Sequence, residues 1–372
     1  MTSKGATTNG ATSNGGTTNV DAVILVGGKG TRLRPLTLSA PKPMLPTAGL
    51  PFLTHLLSRI AAAGIEHVIL GTSYKAETFE AEFGDGAKLG LQIDYVFEEQ
   101  PLGTGGGIAN VVPKLRNDTV MVFNGDVLSG MDLGAMLTTH ADRAADVTLH
   151  LVRVSDPRAF GSVPTDGDGN VLAFLEKTED PPTDQINAGT YIFKRSVIEA
   201  IPRGRQVSVE REVFPALLSE GAKVCGYVDA TYWRDMGTPD DFVRGSADLV
   251  RGIAPSPALK GRRGESLVHD GASVAPGALL IGGTVVGRGA EIGPGVRLDG
   301  AVVFDGARIE AGAVVERSIV GFGCRIGPRA LIRDGVIGDG ADIGARCELL
   351  RGARVWPGVL IPDCGIRYSS DI

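Results

Sequence analysis

From residue 271 onward the chain repeats on a six-residue period. Val274, Leu280, Val286, Ile292 and Leu298 stand six apart, each with a glycine three residues before it, at Gly271, Gly277, Gly283, Gly289 and Gly295. The register runs on through Val303, Ile309, Val315, Val320, Ile326, Ile332, Ile337, Ile343, Leu349, Val355 and Ile361, with occasional five-residue steps. One inward aliphatic residue per step is the signal of a β-solenoid in which each step forms one face of a coil. With three faces to a coil, the tract holds about five coils. Such a stack has open ends and flat sides that need partners or caps, so a homo-oligomer that touches through this region is expected.

Ahead of the repeat the rhythm is different. Short β-rich runs alternate with helical patterns: VILVG, FLTHLLSRIAAAG, HVILGTS, KAETFEAEFG, IDYVFEE and VMVFNGD. This is the βαβ alternation of a doubly wound α/β sheet. The first run, Ala22 to Val26, is five apolar residues bounded by glycine, the pattern of a strand buried on both faces. Such sheets bind ligands beyond the carboxyl ends of their strands. The loop after this run, the EEQPLGTGGG segment and Asn124-Gly125-Asp126 are therefore expected to line one crevice. The expected organisation is a disordered tail at 1–19, an α/β domain at 20–251, a linker at 252–264, the solenoid at 265–366 and a tail at 367–372.

Bulk properties narrow the function. With 372 residues, 43% hydrophobic composition and mean hydropathy +0.09, the chain can bury two cores. Its net charge of −6 and pI near 5.5 argue against a nucleic-acid partner. The first nineteen residues are almost all Thr, Asn, Gly, Ser and Ala, without the apolar core of a signal peptide. No stretch is long enough to span a membrane, and a cytoplasmic protein is expected. Cys225, Cys324, Cys347 and Cys364 have no CxxC spacing and no neighbouring histidines, which argues for reduced thiols over zinc or disulfides.

The segment LVGGKGTRLRPLT at 25–37, followed by Lys42 in PKPM, carries the densest chemistry. Gly27, Gly28 and Gly30 leave backbone N–H groups free to approach an anion, and Arg32 adds a fork of charged donors matched to phosphate oxygens. Lys29 is followed by Gly30, so this is no P-loop, and Leu33 stands where the dinucleotide motif needs glycine. Two carboxylates from separated strands, Asp126 and Asp235, suit a Mg²⁺ ion that also binds substrate phosphates. Lys177, beside Glu176 at the end of the β-like run Val171 to Leu175, can place a point charge on a second phosphate. Asn187-Ala188-Gly189, opening the strand TYIF, offers an amide to polyol hydroxyls.

In order and spacing, GGKGTRLRPLT, PKPM, PLGTGG, NGD, FLEK, NAGTYIF and WRDMGTP resemble the sugar-1-phosphate nucleotidyltransferases, or nucleotide-sugar pyrophosphorylases. With the hexads, residues 21 to about 365 look like the mannose-1-phosphate guanylyltransferase branch, GDP-mannose pyrophosphorylases of actinobacterial type. The resemblance implies a Rossmann-like mixed sheet followed by a left-handed parallel β-helix. It also implies transfer of a nucleotidyl group from a nucleoside triphosphate to a sugar 1-phosphate, with Mg²⁺ as cofactor. Carried onto this chain, Val26, Gly27, Gly28, Gly30, Thr31, Arg32, Glu98, Gly103, Thr104, Asn124 and Gly125 would hold the nucleotide. Arg32 and Lys42 would stabilise the leaving pyrophosphate, and Asp126 and Asp235 would bind the metal. Gly161, Glu176, Lys177, Asn187 and Gly189 would face the sugar phosphate. Thr178, where the family's Glu-Lys motif continues with proline, and GSVP at 161–164, in place of a more apolar run, depart from the pattern on the sugar side.

Family members that use uridine or thymidine triphosphate resemble one another in placing glutamine where this chain has Glu98. Guanine presents N1–H and N2–H₂ side by side, two donors that an ionised carboxylate accepts together, so Glu98 points to GTP. No residue decides between mannose and glucose; mannose 1-phosphate is implied by the resemblance. The alternatives are a glucose-1-phosphate uridylyl-, thymidylyl- or adenylyltransferase, or a non-catalytic subunit that senses a nucleotide sugar. The second is disfavoured because Arg32, Lys42, Asp126, Lys177 and Asp235 are all present. An acyltransferase solenoid is disfavoured because His269, at its very start, is the only histidine beyond position 150.

Overall fold

The computed structural model describes residues 19–367 except Glu176, Thr178, Lys260, Arg262 and Arg263. Apart from Asn19 and Arg367, the two expected tails lie outside the described residues. The α/β part is built on strands β1 (Val20–Leu25), β2 (His67–Thr72), β3 (Gln92–Phe97), β4 (Thr119–Asn124), β5 (Val127–Ser129), β6 (Val147–Arg153), β7 (Gln185–Lys194), β8 (Val224–Asp229) and β9 (Trp233–Asp235). Seven form one sheet in the order β8-β6-β7-β4-β1-β2-β3. β7 runs antiparallel to β4 and β6, and the remaining pairs are parallel, so the sheet is mixed.

Burial on both faces explains the continuous apolar run of β1. Ala22 and Ile24 join the layer of Leu53, Leu57 and Ile60 from helix α1 (Phe52–Ala62), while Val23 joins Ile108 and Ala109 on the opposite side. Helix α1 stops where Gly64 turns left-handed (φ 76°) and Ile65 N–H returns to the Ile60 carbonyl at 3.3 Å. Helix α2 (Glu77–Phe83) falls in KAETFEAEFG and starts only after Lys75, whose φ is +53°. Helix α3 (Gly103–Asn110) forms within PLGTGGG, and α4 spans Leu133–Asp142. The run Val171 to Leu175, read above as β-like, forms only isolated bridges to Thr165 and Ser162. Asn187-Ala188-Gly189 lies inside β7 rather than opening it, beside a register shift between Leu149 and Leu151 of β6.

Residues 266–361 form three parallel sheets of six, six and five strands, the three-sided β-helix expected of the left-handed type. The hexad aliphatics from Val286 to Val355 are buried inside. Val274 is an exception at 36% exposure and Leu280 is only half-buried, because their coil is the first and nothing is stacked beneath it. The five-residue steps all fall at one corner of the coil, after Leu298, Val315 and Ile332. There a single left-handed residue makes the turn, Gly300, Arg317 or Asp334; six-residue steps at the same corner use two, Gly282 with Gly283 and Arg351 with Gly352.

One solenoid face is apolar outside as well as inside. Leu267, Val285, Val302, Ile319 and Val336 pack outward with Phe304 against helix α5 (Pro239–Arg251) and against Leu33, Leu36, Leu45, Ala48 and Phe52. Helix α5 begins on Thr238, whose hydroxyl accepts the Asp241 N–H at 3.2 Å, with Pro239 in its first turn. The fit is close: a Cβ at Gly283 would sit 2.6 Å from that of Ala247, and one at Gly49 would sit 1.9 Å from His269 Nε2. His269 Nε2 meets the Ala48 carbonyl at 3.1 Å, and Arg354 donates to the Arg34 carbonyl at 2.7 Å. The solenoid therefore braces the segment that carries Arg32 and Lys42.

Candidate active site

The loop after β1 is shaped by close approaches. Gly30 is left-handed (φ 57°), and a Cβ there would press on Thr37 at 2.9 Å and Lys42 at 3.1 Å. The Thr37 hydroxyl donates to the Gly30 carbonyl at 2.9 Å, and Ser73 to that of Gly27 at 2.7 Å. Nothing lies within 4 Å of a Cβ at Gly28, whose backbone is open. Gly125 is packed against β1: a Cβ would meet Val26 at 2.6 Å.

Strand β9 pairs antiparallel with β5, placing Asp235 opposite Val127 and next to Asp126. The buried Lys42 lies between these carboxylates, 2.9 Å from Asp126 Oδ2 and 3.8 Å from Asp235 Oδ1. Lys42, expected as a cation for phosphate, is thus held by the carboxylates in the free protein. Asp235 Oδ1 is buried without a hydrogen-bond partner, and its carboxyl is pushed above the usual range by burial and then by the charge of Asp126. A buried carboxylate oxygen without a hydrogen bond, facing Lys42 at 3.8 Å and beside a second carboxylate, fits a divalent cation that takes its remaining ligands from phosphates. Among the described residues, no group of three or more His, Cys, Asp or Glu could hold a metal. Arg32 reaches the same place; a Cβ at Gly237 would sit 2.7 Å from its guanidinium.

Two adjoining cavities meet here. The smaller, about 510 Å³, is lined by all the nucleotide residues expected from the sequence, Val26 to Arg32 and Glu98 to Gly125, together with Lys42 and Asp126. The larger, about 1340 Å³, holds Gly161, Lys177, Asn187 and Asp235. Arg32, Gly103, Thr104 and Asn124 line both. Gly189 lines neither; its left-handed backbone (φ 77°) leaves room for the Asn124 amide, which a Cβ would meet at 2.8 Å. Glu176 lies outside the described residues. Glu98 is half-buried while Glu99 is exposed. Its carboxyl is raised by burial, against a hydrogen bond from Leu102 N–H at 3.3 Å.

Several lining residues escape sequence reasoning. Trp233 donates to the Ala188 carbonyl at 3.0 Å and meets Phe160 edge-on at 5.6 Å, forming an aromatic wall with Phe174. Arg234 is held by Tyr232, Asp241 and Asp248. Ser208 caps, and Glu210 belongs to, a π-helical turn, Val209–Val213, folded against α3: a Cβ at Gly103 would lie 2.6 Å from the Val207 carbonyl. The segment WRDMGTPDD contains a signal for the first two groups, since polar and aromatic residues flank Asp235. SVEREVFP contains no comparable pattern.

The Nucleotidyl transferase family matches residues 21–252, and a GMPPB C-terminal domain matches 262–364. The mannose-1-phosphate guanylyltransferase of Mycobacterium tuberculosis is 82% identical over 354 residues, covering 95% of this chain and 99% of that protein. A mannose-1-phosphate guanylyltransferase catalytic subunit beta of Drosophila pseudoobscura is 35% identical, covering 74% and 71%. Among solved structures, HddC from Yersinia pseudotuberculosis complexed with GMP-PN matches with TM-score 0.55 and 31% identity, over 62% of this chain and 99% of that one.

Proposed function

The chain belongs to the nucleotidyl transferase family, and from that footing we propose that it acts as a mannose-1-phosphate guanylyltransferase. It transfers a guanylyl group from GTP to α-D-mannose 1-phosphate, giving GDP-mannose and pyrophosphate. The observation that carries this reading is the junction of the two cavities at Arg32, Thr104 and Asn124, with Asp126 lining one side and Asp235 the other. GTP lies along the glycine loop with its base toward Glu98, and the sugar phosphate enters the larger cavity past Lys177. A sugar-phosphate oxygen attacks the α-phosphorus while the bond from that phosphorus to the departing pyrophosphate breaks. The attacking oxygen is already ionised, so no proton has to move and no general base is needed. The work is to bring two anions together and to spread the growing charge, which falls to Arg32, Lys42 and Lys177.

Asp126 and Asp235 would hold a divalent metal, which we take to be Mg²⁺; when bound it supplies positive charge at the phosphates. The described residues contain no helix long and apolar enough to cross a membrane. A GTP-consuming reaction and four unpaired cysteines suit the cytoplasm. Homo-oligomer contact through the solenoid is supported by its last coil, where Trp356, Leu360 and Ile366 are 48%, 70% and 43% exposed. The test of function is pyrophosphate release and GDP-mannose formation by the purified protein with GTP, mannose 1-phosphate and Mg²⁺; absence of product at any enzyme concentration contradicts it.

A further inference from the structure

The two cavities share a side-chain network that none of the substrate-facing roles accounts for. Glu210 Oε2 accepts the Thr104 hydroxyl and the Ser208 hydroxyl, each at 2.9 Å. Thr104 Oγ1 in turn accepts the Val209 N–H at 2.9 Å, so the start of α3 is tied to the π-helical turn from both sides. On the other side stands Tyr191, fully buried. Asn187 Nδ2 donates to its hydroxyl at 2.7 Å, and the same hydroxyl also meets the side chains of Asn124 and Glu210.

The chemistry of these groups fixes the direction of every bond. An ionised carboxylate only accepts, and with Asn187 donating to its oxygen the Tyr191 hydroxyl keeps its own proton for an acceptor, the nearby carboxylate being Glu210. The phenolic oxygen accepts N–H from Asn187 at 2.7 Å, and the Asn124 amide lies beside it. With its nitrogen turned toward Gly189 and Tyr191, Asn124 has its carbonyl oxygen left for substrate. Asn187 Oδ1 is held by Gly189 N–H at 3.0 Å, which locks that side chain as well. One carboxylate thus holds Thr104, which lines both cavities, and stands beside the Tyr191 hydroxyl that holds Asn187 in the larger one. We propose that Glu210 is a positioning residue that orients both substrate pockets together, so that alignment of the GTP α-phosphate and of the sugar phosphate depends on the same acceptor.

This inference rests on the guanylyltransferase reading, and the experiment separates the two. Wild-type turnover tests the reading; the variants test the inference. Glu210→Gln keeps the shape but replaces the obligatory acceptor with a group that also donates. The expected result is a rise of about fivefold or more in KM for both GTP and mannose 1-phosphate, with a fall in kcat and an unchanged melting temperature. Glu210→Asp, a shorter carboxylate, restores part of the loss. In the wild-type background Thr104→Val and Tyr191→Phe act non-additively on kcat/KM, and in the Glu210→Gln background they become additive. A Glu210→Gln enzyme with neither KM changed beyond twofold, or with only one raised, overturns the inference while an active wild type leaves the functional reading standing.

Discussion

Replacing Glu98 with glutamine tests how the base is chosen. In the folded protein this carboxylate is half-buried, with one oxygen accepting a long 3.3 Å bond from Leu102 N–H. Its other oxygen lies against the bare Cα of Gly107, where a Cβ would come within 2.8 Å. Opposite guanine, an ionised carboxylate accepts N1–H and N2–H together. An amide keeps one acceptor and turns a donor toward a donor. Losing a charge-assisted bond costs about 1.5–3 kcal/mol, and the unmatched donor about 1–3 kcal/mol more. A combined loss of about 2.5–6 kcal/mol lowers kcat/KM for GTP by between about seventyfold and a few ten-thousandfold. UTP should suffer far less, because uracil offers a donor beside an acceptor. The assay is kcat/KM for both triphosphates with mannose 1-phosphate. An unchanged GTP-to-UTP ratio refutes the assignment of Glu98 as the base reader. The same carboxyl gives a pH signature of opposite signs. Its folded pKa is raised by burial, so the free protein gains stability as pH falls through that raised value, while GTP affinity falls over the same range because the protonated acid presents a donor. Glu98→Gln should remove both effects.

Other perturbations follow from the same structure. Asp235→Asn should fold with an equal or higher melting temperature, since it removes a carboxylate disfavoured by burial and by Asp126, yet lose about a hundredfold or more in turnover; near-normal activity across a Mg²⁺ titration sinks its metal role. Phe304→Ala empties a buried position that packs with Leu33 and Leu36 and with the Phe322 ring at 4.9 Å. It should cost about 3–5 kcal/mol in urea unfolding and reduce activity below the unfolding transition by loosening the segment that carries Arg32. Leu360→Asp at the open end of the solenoid should give a lighter species in light scattering than the wild type, with substrate KM values unchanged. Equal masses for the two proteins place the contact elsewhere.

How far the sequence carried depended on whether a residue's role is local. The solenoid was legible because each hexad aliphatic repeats the same environment, and it failed at Val274, Leu280 and Ile361, at the two ends of the stack. The loop after β1 was legible as a glycine-rich cationic turn that follows a buried strand and lines a cavity, because glycine and arginine at that density have few other uses there. The outward Val285, Val302, Ile319 and Val336 were hidden: beside an inward aliphatic residue they look like part of a strand, and only the docked α5 and the Leu33–Phe52 segment give them a partner. Removing residues 265–372 therefore exposes an apolar seam, so such a truncation reports on stability as much as on assembly. Glu210 and Tyr191 were hidden for another reason. Their bonds join positions 104, 124, 187 and 210, and nothing in the local pattern of any one segment announces the others. Lys42 shows the limit in reverse: its type and position were evident, but its pairing with Asp126 is a property of the fold.

The central claim is the reaction itself, GTP with mannose 1-phosphate at the junction of two cavities. The direct measurement is a matrix of GTP, UTP, ATP and dTTP against mannose and glucose 1-phosphates with Mg²⁺, scored by kcat/KM for pyrophosphate release. GTP with mannose 1-phosphate should exceed every other pair by about tenfold or more. A higher value for UTP or dTTP with glucose 1-phosphate, or no pyrophosphate from any pair, contradicts the account.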